Sequence, residues 1–272
     1  MKEIKTAVIS RAVTELVRQA NFSLRPDVLS LLLKAYSREN NRRAKKIIKA
    51  IIDNAAFALK NNLAICQDTG LPIVFVEIGQ DVKIIGDLKA AINQGVVQGY
   101  KKYSLRNSIV GDPLLRGTPK FSPCIIHFDI VKGAKLKIIL LPKGFGCENK
   151  SQLKMFKPTA TIEEIKEFIV DAVKSAGCDA CPPYLIGVGI GGTADYASLM
   201  AKQALLIKMQ KNSKLEEGLL KQINKLKLGP MGLGGKTTAL AVKVKKYPTH
   251  IAGLPVSVNI NCHALRSAEV VL

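Results

Sequence analysis

The chain has 272 residues, 47% of them hydrophobic, which is enough for one large or two modest cores and too apolar for a disordered protein. No apolar run approaches the ~20 residues of a membrane span. Lys2, Glu3, Lys5 and Arg11 interrupt the first eleven residues, which excludes a signal peptide, so a soluble, cytoplasmic protein is expected. Forty-one Lys and Arg against 21 Asp and Glu give a net charge of +20, which fits a lysine-rich solvated surface, a nucleic-acid partner, or attraction of a small dianionic substrate. Aromatics at 5% and lysines scattered along every predicted helix favour the first over the second.

Ile4, Val8, Ala12, Leu16 and Ala20 recur at helical spacing and predict a helix over 4–20. Pro26 opens a second helix through Leu33 to Ser37, and Ala44 to Lys60 make a third, so residues 1–62 read as a helical N-terminal part. Cys66-Gln67-Asp68-Thr69-Gly70 is a polar turn feeding a β-rich run to Gly79. A helix from Leu88 to Tyr103 comes next, then strands Cys124 to Val131 and Ala134 to Leu141 joined by Lys132-Gly133 as a tight turn, then a loop from Pro142 to Ser151. Thr161 with Glu164 three residues on is a capping box and Gly177 a C-terminal cap, which sets a helix over Ile162 to Ala176. That helix delivers the chain to Cys181-Pro182-Pro183, a strand from Tyr184 to Ile190, a glycine turn at Gly191-Gly192 and a helix from Ala194 to Met209. A helix over Lys214 to Leu228, stopped by Gly229-Pro230, and strands Thr238 to Lys245 and Leu254 to Asn261 follow. With no repeat or linker, the expected fold is a single α/β domain: a mixed sheet with surrounding helices and a helical N-terminal part, residues 63–272 carrying the chemistry.

Gly229-Pro-Met-Gly-Leu-Gly-Gly-Lys236-Thr237 imitates a phosphate-binding loop, but the motif needs glycine at position 230, where proline stands. It also follows a lysine-rich amphipathic helix rather than a buried strand, which leaves at most an anion-facing loop. Six cysteines, at 66, 124, 147, 178, 181 and 262, are too few for a disulfide scaffold of this size. Cys178-x-x-Cys181 has no second pair and there are three histidines, which argues against a zinc ribbon. Cys66, Cys181 and Cys262 each stand at the start or end of an element beside polar or turn residues. Thiols so placed can converge on a shared iron–sulfur cluster with one open iron, although three lone cysteines are more often inert core thiols.

Seven ordered motifs then agree with one family. They are Cys66-Gln67-Asp68-Thr69-Gly70, Leu105-Arg106 with Asp112-Pro113, Lys143-Gly144 with Glu148-Asn149, Cys181-Pro182-Pro183-Tyr184, Gly191-Gly192-Thr193, Gly234-Gly235 with Thr237-Thr238-Ala239, and His250-Ile251-Ala252-Gly253 through Asn261-Cys262-His263. Together they resemble the iron–sulfur hydro-lyases, the class I fumarate hydratases and L(+)-tartrate dehydratases, specifically their α subunit or N-terminal half. The resemblance spans the chain beyond the helical N-terminus.

The resemblance implies a [4Fe–4S] cluster with one open iron site, held by Cys66, Cys181 and Cys262 in a cluster-binding part spanning 63–272. It places Gln67 and Asp68 at the substrate, Arg106 on a substrate carboxylate, Gly146 as a backbone contact, and His250 in the active site. Asp68 and His250 are the candidates for orienting substrate and relaying protons. The family commonly has serine where this chain has Cys147; the thiol there either approaches the cluster or simply replaces a hydroxyl, and simple replacement is expected, with Cys124 and Cys178 structural. Single-chain members continue into a second domain whereas this chain stops at Leu272, which implies a separate β subunit, as α2β2, carrying the remaining catalytic residues. The activity implied is reversible hydration of fumarate to L-malate, with dehydration of L(+)-tartrate as the alternative; no membrane and no nucleic acid is expected as partner. A basic nucleic-acid-binding protein with incidental thiols is the rival from another class.

Overall fold

The computed structural model of the chain describes residues 2–209 and 211–272. A short β1 (Lys2–Lys5) leads into α1 (Thr6–Phe22), amphipathic because Ile9, Val13, Leu16, Val17 and Ala20 fall on one buried side. Pro26 starts α2 (Pro26–Arg38), and α3 (Arg42–Asn61) follows. Next come β2 (Leu71–Gly79), β3 (Val82–Ile85), α4 (Leu88–Lys102) capped by the Asp87 side chain, β4 (Ile125–Val131), β5 (Leu136–Lys143), the single turn α5 (Phe145–Glu148) and β6 (Gln152–Phe156). The predicted capping box opens α6 (Ile162–Ala176), with Thr161 and Glu164 bonding reciprocally. The chain finishes through β7 (Tyr184–Gly192), α7 (Ala194–Ala204), α8 (Lys214–Asn224), β8 (Ala239–Thr249), β9 (Leu254–Asn261) and β10 (Ala268–Val271). The architecture is α/β, with mixed sheets and surrounding helices.

Contacts divide the chain into two compact units: Met1–Leu24, Ala55–Phe145 and Arg266–Leu272 form the first, Arg25–Asn54 and Gly146–Leu265 the second. The helical N-terminal stretch is therefore shared between them, with α1 in the first unit, α2 in the second and α3 divided. In the first unit the strand order is β10-β5-β2-β4, with β2 parallel to β4 and antiparallel to β5. Val74 and Val76 of β2 lie opposite Leu140 and Ile138 of β5, so all four share a face. They form one core with Val13, Leu16 and Val17 of α1 and Ile92, Val96 and Tyr100 of α4. The two helices approach so closely that a Cβ on Gly99 would stand 2.7 Å from Val17 Cβ, and one on Gly95 2.6 Å from the Ser10 carbonyl oxygen.

In the second unit the order is β6-β9-β7-β8. Tyr184, Ile186 and Val188 on one face of β7 pack with Ile169 and Val173 of α6 and Leu219 and Ile223 of α8. Gly187 and Gly189 on the other face take the backbone of α7, where a Cβ would stand 2.0 Å from the Ala201 and Ala197 carbonyl oxygens respectively.

Three predicted features are corrected. Strands β4 and β5 are not a hairpin, because β2 lies between them. The end of β2 donates into their connection, from Gly79 N–H to Lys135 O at 2.9 Å, Gln80 N–H to Val131 O at 2.9 Å and Asp81 N–H to Gly133 O at 3.0 Å. Helix α7 stops at Ala204 rather than Met209, because the Arg25 guanidinium takes the Leu205 and Ile207 carbonyls at 2.7 and 3.0 Å. Helix α8 stops at Asn224 rather than Leu228, because the Asn224 Oδ1 accepts from Thr238 and Ala239 N–H at 2.7 and 2.9 Å, drawing the chain into β8. Gly99→Ala is expected to destabilise by about 1–3 kcal/mol through overpacking against Val17. Gly218→Ala, in open space on α8, is expected to stabilise by about 0.5–1 kcal/mol. Urea unfolding midpoints of both variants test the contrast.

Candidate functional site

The first unit holds one predicted motif on a buried polar platform. Ile65 N–H donates to the Asn21 carbonyl at 3.0 Å, Arg266 Nη2 donates to the Asp68 carbonyl at 2.7 Å, and the Tyr100 hydroxyl donates to the Thr69 carbonyl at 2.7 Å, with Gly70 O at 3.2 Å. Asn21, Tyr100 and Arg266 are all buried. Burial holds the Tyr100 hydroxyl above its ordinary pKa, so it remains a donor. These bonds fix the loop backbone from beneath, while Cys66 and Asp68 stay half-buried and Gln67 is exposed.

The Asp68 carboxylate is fixed as well. Its two oxygens accept from Gly70 N–H and Phe145 N–H, each at 2.9 Å. Thr69 Oγ1 accepts from Arg106 N–H at 3.1 Å and donates to the Arg106 carbonyl at 3.3 Å. The Arg106 backbone is thereby clasped to the loop that carries Cys66, Gln67 and Asp68, and the residue itself is exposed. A planar bidentate donor carried by a segment tied to the loop of an anchored carboxylate suits binding and proton handling on a carboxylate-bearing substrate.

In the second unit Cys181 follows the turn after α6, its N–H donating to Cys178 O at 3.1 Å and its φ at 56°, a strained value for a residue with a Cβ. His263 Nδ1–H donates to the Cys181 carbonyl at 3.1 Å, which brings the end of β9 and its half-buried Cys262 beside Cys181. Cys147 ties the same two segments: its Sγ accepts from Cys262 N–H at 3.1 Å, and its thiol donates to Ala180 O at 3.6 Å. A hydroxyl could make the same two bonds. Gly146, exposed, opens this segment.

His250 lies elsewhere. Strand β7 begins beside Cys181 and pairs from Tyr184↔Ala239 to Gly192↔Thr249, which puts His250 at the opposite end of the sheet, roughly 25 Å along the strands. It is exposed, and its Nδ1 accepts from Ala252 N–H at 3.1 Å, which leaves the proton of the neutral ring on Nε2. The glycine loop before β8 does face an anion, and the chain supplies it. Buried Glu39 accepts from the N–H groups of Lys236 at 2.7 Å, Asn40 at 3.0 Å and Asn41 at 2.9 Å.

Burial pushes the Cys124 thiol up to about 11, so it stays protonated and inert. Among the described residues no three His, Cys, Asp or Glu side chains are grouped as a single metal ion requires. No helix among them is long and apolar enough to cross a membrane. The sequence reading missed Asn21, Tyr100 and Arg266; the only signal was an arginine closing the apolar Ala264-Leu265 step after Cys262-His263. Tyr100→Phe is expected to cost about 1–3 kcal/mol by orphaning the Thr69 carbonyl. Urea unfolding of the variant against the parent chain measures that loss.

The family model described as fumarate hydratase (Fumerase) matches residues 10–271. A Methanocaldococcus jannaschii protein named "Putative L(+)-tartrate dehydratase subunit alpha" is 42% identical over 278 residues, covering 96% of this chain and 96% of that protein. The L(+)-tartrate dehydratase subunit alpha of Escherichia coli strain K12 is 27% identical over 276 residues, covering 96% of this chain and 90% of that protein. The chain therefore belongs to the class I fumarate hydratase family of iron–sulfur hydro-lyases, among its α subunits.

Proposed function

We propose that this hydro-lyase chain is the α subunit of a two-subunit enzyme acting on a four-carbon dicarboxylate, with a [4Fe–4S] cluster held by Cys66, Cys181 and Cys262. The observation that carries the reading is the clasp of Arg106 onto the Cys66–Gly70 loop through Thr69, because it joins a carboxylate-binding group to a thiol and an anchored acid.

The residues present fit the cluster in donor chemistry. Cys66, Cys181 and Cys262 are half-buried at the ends of elements, the surroundings a thiolate ligand needs, whereas Cys124 is buried and protonated. Beneath the Cys66 loop, Arg266 is a buried cation whose Nε has no partner, which suits an anionic group nearby. A cubane also holds its thiolates farther apart than a single ion does, so the lack of a tight ligand group among the described residues is compatible with it. When bound, the group supplies a Lewis-acidic iron that polarises the substrate hydroxyl.

This chain's own groups do the rest in the proposed reading. Arg106 neutralises and orients a carboxylate, Asp68 presents a carboxylate whose two oxygens are each fixed by one N–H donor for relaying a proton, and Gln67 and the Gly146 backbone position the substrate. His250, at the far end of the sheet from Cys181 and Cys262, serves such a site from a second copy of the chain, which accords with an α2β2 assembly. The carbon-bound proton is removed by a group of the β subunit, a partner supported by the α-subunit names of the relatives. A cytoplasmic setting belongs to the same reading, since reducing surroundings preserve the thiols.

Substrate choice has two equal supports. The family description favours fumarate hydration, and the relatives' names favour L(+)-tartrate dehydration. Reconstitution without oxygen is expected to give about four iron and four sulfide per chain, lost in Cys66→Ser; colorimetric iron and sulfide counts check it. Arg106→Gln in the assembled complex is expected to lower kcat/KM about 100-fold, roughly 3 kcal/mol of transition-state stabilisation. Turnover of fumarate against L(+)-tartrate by that complex decides the substrate.

A further inference from the structure

We infer that Arg266 is the built-in counter-charge of the cluster site, positioning the Cys66–Gly70 loop while its guanidinium offsets the negative charge of the thiolate-bound iron and sulfide. The assignment rests on the cluster reading above. It comes from what surrounds the guanidinium.

Arg266 is 4% exposed. Its Nη2 donates to the Asp68 carbonyl at 2.7 Å and its Nη1 to Asn21 Oδ1 at 3.3 Å; its buried Nε finds no acceptor. Both acceptors are neutral. The acid two residues from Cys66, Asp68, turns its carboxylate to the N–H groups of Gly70 and Phe145 instead. Tyr100, the other polar side chain of the platform, donates to the Thr69 and Gly70 carbonyls. Among the described residues no carboxylate pairs with Arg266.

An arginine cannot shed its proton to escape burial, so the charge remains and needs an opposing one. Neutral carbonyl and amide oxygens satisfy hydrogen bonds but do not cancel a full charge. Three thiolates with an iron–sulfide core carry net negative charge, and one thiolate belongs to the loop that Arg266 grips. The same residue thus has two functions: its fork fixes the Asp68 carbonyl, and its charge is matched only once the anionic group is in place. Apo and loaded chains should respond to its removal in different ways.

The full chain is reconstituted anaerobically with iron and sulfide as the parent sequence, as Arg266→Met and as Arg266→Lys. Arg266→Met removes the charge without leaving buried donors. Its apo form is expected to melt within a few degrees of the parent, because an unmatched charge has gone along with two hydrogen bonds. Its loaded form is expected to lose iron about ten- to a hundredfold faster to a chelator and to show a more negative midpoint potential. Arg266→Lys, which keeps the charge but not the fork, is expected to hold the parent's potential.

A methionine chain that melts far below the parent while its cluster keeps the parent's potential and iron retention overturns the assignment and leaves Arg266 a scaffold residue. If the methionine chain does not fold, the lysine chain decides: the parent's potential supports the charge assignment, and a shifted one overturns it. A parent chain that takes up no iron overturns the cluster reading itself, and this inference with it.

Discussion

Glycine backbone pressed directly against a neighbouring element, with no side chain of its own between, is the constraint on which both units depend. In the first, Gly95 and Gly99 let α4 settle onto α1 at distances no Cβ could share with Ser10 and Val17. That closeness places Tyr100, one residue past Gly99, and Asn21, near the end of α1, beneath the Cys66–Gly70 loop. In the second, Gly187 and Gly189 let β7 lie directly on α7, which fixes the strand whose first residues follow Cys181. Close packing in each unit thus orients the chemistry at its edge, and the energy lost on adding a methyl group would arise at the helix contact rather than at the site.

Burial sorts six identical thiols into different chemical roles. Cys124 lies in the core of the first unit and is held protonated by desolvation. Cys147 is buried too, but its sulfur is engaged as an acceptor from Cys262 N–H and a donor to Ala180 O, so it acts as a brace between two segments. Cys178 is exposed on the turn after α6. Cys66, Cys181 and Cys262 fall between these extremes, each half-buried.

Local chemistry was legible in the sequence, and long-range chemistry was not. The Thr161–Glu164 capping box, the Gly177 cap and the strand–glycine–helix order after Cys181 depend on residues a few positions apart, and the structure contains each. The β4–β5 pair read as a hairpin because their spacing permits one; the insertion of β2 between them is decided by hydrogen bonds from Gly79, Gln80 and Asp81, about fifty residues away in the chain. The end of α7 failed for the same reason, since Arg25 captures carbonyls some 180 residues downstream. Within the site, Cys66, Gln67, Asp68 and Arg106 stand in recognisable motifs, but only the apolar Ala264-Leu265 step before it sets Arg266 apart from the other basic side chains. Its importance lies in burial, and burial is a tertiary property.

The second unit shows how this chain treats buried and half-buried cations when only stability is required. Lys243, 2% exposed in its side chain, has the Glu216 carboxylate at 3.7 Å and Asn212 Oδ1 at 3.0 Å. Arg25 forms a 2.5 Å pair with Asp27, whose carboxyl is lifted by burial yet held below the usual range by the Arg25 guanidinium and the Met209 N–H. Lys202 pairs with Glu148. Each of these cations has a carboxylate because removing an unmatched charge from water is costly. Arg266 departs from that pattern within a sequence that offers only 21 acids against 41 bases, so no acid could be spared cheaply. If scarcity were the whole cause, a neutral side chain would serve at position 266 without the cost of desolvating a guanidinium. A buried charge whose acceptors are all neutral, beneath the loop bearing a candidate cluster thiol, is accounted for when its counter-ion is the group that the loop binds.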